Sequence, residues 1–409
     1  MNEPERPVTP VAGPAGPPDD SSDDAITPAP RNEPERTVTP VTDLAGLPDD
    51  SSYDATTSAP GPTVSSTGSN HLGDPYRKDK ISKEEDLPSN PAQWNRCATS
   101  EKVGRFIFDF GKFQSGSNVT YTQFLHLRVI WIEHKAEILA KDTTRGIWLR
   151  DEYYTRARQL LASWIDWRVY LDSFQVPKNN LHTLFVANNA FWLTRHHIPE
   201  SISPITKDRR REYPPTNDEQ TVNSALVDFL EALTIRHVEN ASWNIERKAF
   251  ELGDKKDEGY EARVDGLLRR QSDGRVLAIL EVKPCVRCHH QVDIRMQESA
   301  QMAAWISSYP DNSSTQTSAN FTRLLVSQDR HQIFLTFATF DKSYVAYVSG
   351  NLKAKVRQSN GSDSNPFLKM NEFGPFDTKS ESHMRCLGYY ILAFTLQECG
   401  ERDGADVAE

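Results

Sequence analysis

Residues 261–285 read EARVDGLLRRQSDGRVLAILEVKPC. Within them, residues 276–282 form an apolar run, VLAILEV, interrupted only by Glu281 and bounded by Gly274 and Pro284. A run of that length between such residues predicts a strand buried on both faces. Residues 260–270, with Val264, Leu267 and Leu268, predict its partner. Ser272-Asp273-Gly274 then forms a three-residue hairpin loop, with Gly where positive φ is required. Pairing Gln271 with Arg275 and following the ladder back sets Asp265 opposite Glu281 and Arg263 opposite Lys283. Opposed residues share a face, with Cβ atoms about 4.5–5.5 Å apart. Glu281 and Lys283 share that face too, because the strand period is two. One patch is expected to hold two carboxylates and an ammonium.

Two carboxylates that close repel, and a carboxylate in an apolar strand is costly unless paired. A divalent cation resolves both problems. Mg²⁺ takes oxygen ligands and is commonly held by one or two carboxylates together with a phosphate. Lys283 would then orient or help deprotonate a water, or neutralise phosphate charge. This is equipment for metal-assisted phosphodiester hydrolysis. The plain alternative is a salt bridge at a strand end.

The order Asp265, then Glu281-Val282-Lys283 at the end of the next strand, resembles the PD-(D/E)XK nuclease superfamily. The likeness is greatest to the fungal PD-(D/E)XK nuclease-like domain proteins, and it covers residues 214–309. It implies that Asp265 and Glu281 bind Mg²⁺ or Mn²⁺ and that Lys283 serves the attacking water. It also implies a glutamate on the first core helix completing the metal site. Val264 stands where the motif's name has Pro. Glu-x-Lys also occurs at Glu133 and Glu246, but without the strand–turn–strand frame.

The first 61 residues contain a direct repeat: residues 2–31, NEPERPVTPV…, return as residues 32–61, NEPERTVTPV…. Pro, Asp, Ser and Thr dominate, so a disordered tail over residues 1–91 is expected. Its Thr-Pro and Asp-Asp-Ser-Ser sequences suit kinases and protein partners, while the plainer reading is a duplicated linker. Residues 1–91 carry 7 Lys and Arg against 17 Asp and Glu, which equals the whole chain's net charge of −10. The remainder is neutral, which permits nucleic-acid binding through a local basic patch without advertising it. No signal peptide and no transmembrane run are read, so an intracellular protein, cytoplasmic or nuclear, is expected. Five scattered cysteines form no disulfide framework.

Residues 92–213 predict a helical extension. Residues 121–140 and 151–174 each place apolar side chains at helical spacing, and residues 179–191 suggest a third helix. Trp164, Trp167 and Trp192 suit base stacking near Arg195, His196 and His197, but apolar-face Trp residues are more often core. The basic cluster at 207–211 suits a linker, a phosphate contact or an import signal.

Residues 214–399 are expected to form the nuclease-like domain, with residues 400–409 frayed. A helix over 218–237, capped by Thr216 or Asn217, places Glu219 in its buried stripe and Glu231 on the solvated side. Glu219 therefore matches the first-helix glutamate that the resemblance implies, which makes it the third metal-ligand candidate. Its plain alternative is a first-turn acid favoured by the helix dipole. Residues 242–252 predict a strand. Cys285-x-x-Cys288 lacks the second pair of a zinc site, and Arg287 with His289 and His290 reads as an exposed basic loop. The next helix, capped by Asp293, carries Gln297 and Gln301 one turn apart. Gln301 to Trp305 is similar to the Gln-x-x-x-Tyr of an exonuclease-like branch, which implies that these amides orient the site. Strands are expected at 321–327, 331–340 and 344–349, a loop at 359–375, and a final helix at 383–397.

The expected fold is α/β. The resemblance makes it a restriction-endonuclease-like core with a small mixed sheet flanked by helices, plus the helical extension and the tail. The expected function is Mg²⁺-dependent cleavage of DNA or RNA. The alternative is a catalytically idle nuclease-fold module that binds nucleic acid or protein.

Overall fold

The computed structural model of the protein describes residues 87–175, 218–253, 259–310, 320–350 and 366–400. The 30-residue repeats, the helix expected at 179–191, Trp192, Arg195 to His197, the cluster at 207–211 and residues 401–409 lie outside the described residues.

A mixed sheet of seven strands forms the centre. The strands are β1 (Val129–His134), β2 (Ala241–Asn244), β5 (Gly266–Arg270), β6 (Val276–Lys283), β7 (Asn320–Asp329), β8 (Gln332–Asp341) and β9 (Leu368–Asp377), in the order β1-β9-β8-β7-β6-β5-β2. β6 and β7 are parallel, as are β1 and β9, and the other pairs are antiparallel. β3 (Ala249–Leu252) and β4 (Tyr260–Arg263) form a separate two-stranded ribbon. Every residue of β6 is buried, as its apolar run requires.

Helices cover both faces. One face packs on α3 (Asp151–Ser163), α4 (Ile165–Asp172), α5 (Glu219–Thr234) and α8 (Glu381–Cys399). The other packs on α1 (Pro91–Ser100), α2 (Tyr121–His126), α6 (Gln291–Ser308) and α7 (Lys342–Val348), and on the ribbon. Alternation along β7 divides the cores: Leu324 and Val326 join the first and Leu325 the second. Trp164 and Trp167 are core residues of the first face, which removes them as base-stacking platforms. Trp167 packs so close to α8 that a Cβ on Gly388 would sit 2.5 Å from its ring. Among the described residues, no helix is long and apolar enough to cross a membrane.

Several expected elements are corrected. Residues 121–140 are not one helix. α2 ends where Arg128 takes φ +54°, and Val129, Ile130, Trp131 and Ile132 continue as β1 beside β9. Apolar spacing suited both readings there, and the β-branched residues favour the strand. The helix over 151–174 breaks at Trp164, whose backbone is extended. Residues 242–252 supply β2 and β3, which belong to different sheets.

Residues 344–348 lie in α7 rather than a strand, and Ser349 is the C-cap of that helix. Asp341 caps it by accepting the Tyr344 N–H at 2.9 Å. Tyr344 and Tyr347, one turn apart, donate to the carbonyls of Leu127 at 2.8 Å and His126 at 2.7 Å. Most of the loop expected at 359–375 that is described is β9.

Candidate metal centre

The hairpin's register holds at one end and slips at the other. Gly266 pairs with Leu280 and Leu268 with Ala278, as expected, but a bulge shifts Arg269 onto Val276. Beyond Gly266 the chain leaves the sheet. Arg263 pairs with Ala249 in the ribbon, so it does not oppose Lys283. The departure occurs at Val264 and Asp265, and it leaves Asp265 at the end of a short strand. Its N–H donates to the Leu280 carbonyl at 3.0 Å. Its Oδ2 accepts the Val282 N–H at 3.1 Å, replacing the backbone partner that a longer strand would have supplied.

Glu219 enters from α5. Asp218, not Thr216 or Asn217, caps that helix, accepting the Gln220 N–H at 2.8 Å and leaving Glu219 in the first turn. Val222, Leu226, Phe229, Leu230 and Leu233 are fully buried beneath it. Asn223, one turn on, donates to the Asp265 carbonyl at 2.9 Å and ties the helix to the strand break. Glu231 is not on a solvated face. It is half-buried and accepts the Trp243 N–H at 2.8 Å, which docks β2.

One ligand oxygen from each of Glu219, Asp265 and Glu281 lies within 4.8 Å of the others. This is the sole grouping of three such residues, among the described ones, that could hold a metal ion. Lys283 reaches into it: its ammonium donates to Glu281 and lies 3.5 Å from Glu219. Gln297 and Gln301 each donate to one oxygen of Glu281 at 2.5 Å, and Gln301 also donates to the Arg263 carbonyl at 2.8 Å. α6 begins at Gln291, so Asp293 lies inside its first turn rather than capping it.

Burial pushes the Glu281 carboxyl up to about 8, with Lys283 opposing and Asp265 adding to the rise. Burial also raises Glu219, again against Lys283. Burial disfavours the Lys283 ammonium, but Glu281 and Glu219 outweigh it and hold its pKa above the ordinary range. Lys283 on the buried side, and Arg247 against Asp265 on the exposed side, supply the positive charge around the three acids. Hard oxygen donors from three separate elements could hold a metal ion. The buried amide oxygens of Asn223 and Gln301, both in residues that hold the triad, have no hydrogen-bond partner among the described residues.

No family model matches the chain, and no curated protein matches it. The case for the site therefore rests on its geometry.

Arg287, like Glu231, does not lie where its sequence context predicts. It is buried, not part of an exposed basic loop. Its guanidinium meets Asp329 and Glu298 at 2.5 Å each, also meets Glu372, and lies over the Phe334 ring at 4.1 Å. Arg295 joins through Glu372 and reaches Glu133 at 2.6 Å. Burial raises Glu298 to about 6, while Arg287 and Arg295 overcome burial and hold Glu372 below its usual value. Asp329 pairs with Lys283 across the β6–β7 ladder, so this cluster adjoins the triad. A buried arginine with three separate acids leaves no local pattern to find. Cys285 is buried and Cys288 exposed, and neither joins a metal grouping among the described residues.

Proposed function

We propose that this protein is a divalent-metal-dependent phosphodiester hydrolase acting on nucleic acid, with a restriction-endonuclease-like core of the PD-(D/E)XK kind. The observation that carries the reading is the convergence of Glu219, Asp265 and Glu281, from a helix, a strand break and a strand, with Lys283 among them. Three acids face one buried ammonium and one largely exposed guanidinium, that of Arg247, so carboxylates outnumber cations and a metal ion would neutralise the excess.

A bound Mg²⁺ or Mn²⁺ would supply Lewis-acid stabilisation of charge on phosphoryl oxygens. Glu219, Asp265 and Glu281 would hold it. Gln297 and Gln301 fix the Glu281 carboxylate through both of its oxygens. Lys283, kept protonated by its two acids, contributes positive charge and a hydrogen-bond donor. The role of Asp265 depends on the strand break, because there its side chain replaces a ladder partner and stays at the sheet's end.

Nuclease assays on single- and double-stranded DNA and RNA with Mg²⁺ or Mn²⁺ test the reading. Cleavage that disappears in Asp265→Ala and Lys283→Ala supports it. Nucleic-acid association indifferent to both substitutions, with no cleavage, would instead support an idle binding module.

A further inference from the structure

We propose that Arg247 is the phosphate anchor of this site, gripping the non-bridging oxygens of a nucleic-acid phosphodiester at the mouth of the triad. The inference rests on the triad being a metal centre for phosphodiester hydrolysis, and it assigns the group that holds the substrate there.

Arg247 lies in the short connection between β2 and β3, where the chain passes from the main sheet to the ribbon. Two contacts hold that connection beside Asp265. The Val264 N–H donates to the Lys248 carbonyl at 3.2 Å. The Asn244 carbonyl oxygen comes so near Gly266 that a Cβ there would lie 2.6 Å from it. Any larger residue after Asp265 would push the connection away, and Arg247 with it.

The Arg247 guanidinium lies 3.4 Å from Asp265 Oδ1. The Arg247 side chain is 66% exposed and that of Asp265 only 11%. An exposed cation held by one such contact adds little to stability, so the pair is not explained as a brace. Its position explains it better. Asp265 Oδ2 is occupied by the Val282 N–H, which leaves Oδ1 as the freer oxygen for an ion. An ion taking Oδ1 would release the guanidinium, with its fork of donors, at the solvent side of the site. Planar guanidinium groups match phosphate oxygens two at a time. Lys283 then serves the buried side of the centre and Arg247 the open side.

The test measures binding without turnover. Fluorescence anisotropy follows labelled single-stranded DNA, and RNA of the same sequence, on the full chain in Ca²⁺. Calorimetry measures Ca²⁺ binding separately. In Arg247→Ala, affinity for both oligonucleotides should fall about tenfold, and the log–log salt slope should shrink by about one. Ca²⁺ affinity should hold or tighten, and Arg247→Lys should recover part of the loss. Unchanged oligonucleotide affinity and slope in Arg247→Ala would overturn the anchor. So would a loss confined to RNA, which would place the contact on the 2′-hydroxyl. A wild-type protein that binds Ca²⁺ but neither oligonucleotide also overturns it, leaving the metal centre standing. Absence of Ca²⁺ binding by the wild type would overturn the metal centre itself.

Discussion

Lys283 and Glu281, two residues apart on β6, form an ion pair whose side chains are 7% and 2% exposed. Same-face neighbours on one strand seldom bury opposite charges this fully, because each loses its water. The pair persists because Glu219, Gln297 and Gln301 supply the remaining contacts.

Removing the amine therefore tests the proposed metal site. Lys283→Ala leaves Glu281 buried without its cation, at a cost of about 3 kcal/mol. That is the low end of the range for a broken buried pair, because the carboxyl can take up a proton. Mg²⁺ should restore much of that loss. Urea unfolding with and without Mg²⁺ checks this, and an identical deficit in both conditions would count against a metal centre.

Asp265→Asn should separate folding from metal binding. The amide oxygen can still accept the Val282 N–H, so stability should change by no more than about 1 kcal/mol. The lost negative charge should weaken Mg²⁺ or Mn²⁺ binding by more than about tenfold, or about 1.4 kcal/mol. Calorimetry of the ion with both proteins decides it.

Arg287→Met should be among the most damaging substitutions in the chain. It leaves Asp329, Glu298 and Glu372 buried with far less positive charge, and a loss of about 3–5 kcal/mol is expected. Arg287→Lys should not restore stability, because one ammonium cannot reach the three separate acids that the guanidinium joins. Chemical denaturation of both variants measures the difference.

Acid should destabilise the protein partly through His331. Burial, with Lys379 adding to the effect, lowers its pKa from 6.5 to about 4. The unfolded chain then binds more protons than the folded one between those values. The contribution is complete above about pH 6.5 and is lost as pH falls toward 4, by at most about 3 kcal/mol. Glu298, raised to about 6, acts in the opposite sense as pH falls through its own window. The comparison is therefore between wild type and His331→Gln, whose stability should fall less between pH 7 and 4.

The candidate site was more legible than the fold around it. Asp265, Glu281 and Lys283 lie within one hairpin, and the strand period alone brings the last two together. The resemblance implied a first-helix glutamate and a glutamine-bearing helix, and helical facing and one-turn spacing then picked out Glu219, Gln297 and Gln301. The 121–140 segment was not legible. Leu127, Val129, Ile130 and Ile132 satisfy a helical face and an apolar strand equally, and β9, which decides between them, lies over 200 residues away in sequence. Tyr344 and Tyr347 likewise chose a helix through carbonyls on a distant segment.

By itself, the sequence determined what neighbours along the chain could settle: the hairpin, the apolar β6, the helix that carries Glu219 and the spacing of the two glutamines. Only the tertiary structure decided what depends on distant partners. It ended the strand at Asp265 by pairing β4 with β3, set Arg247 at the mouth of the triad, and buried Arg287 among acids from β7, β9 and α6. The physical reason is that a charged side chain's fate rests on which opposite charges reach it once water is gone. Three-dimensional packing selects those partners, and their order along the chain does not reveal them.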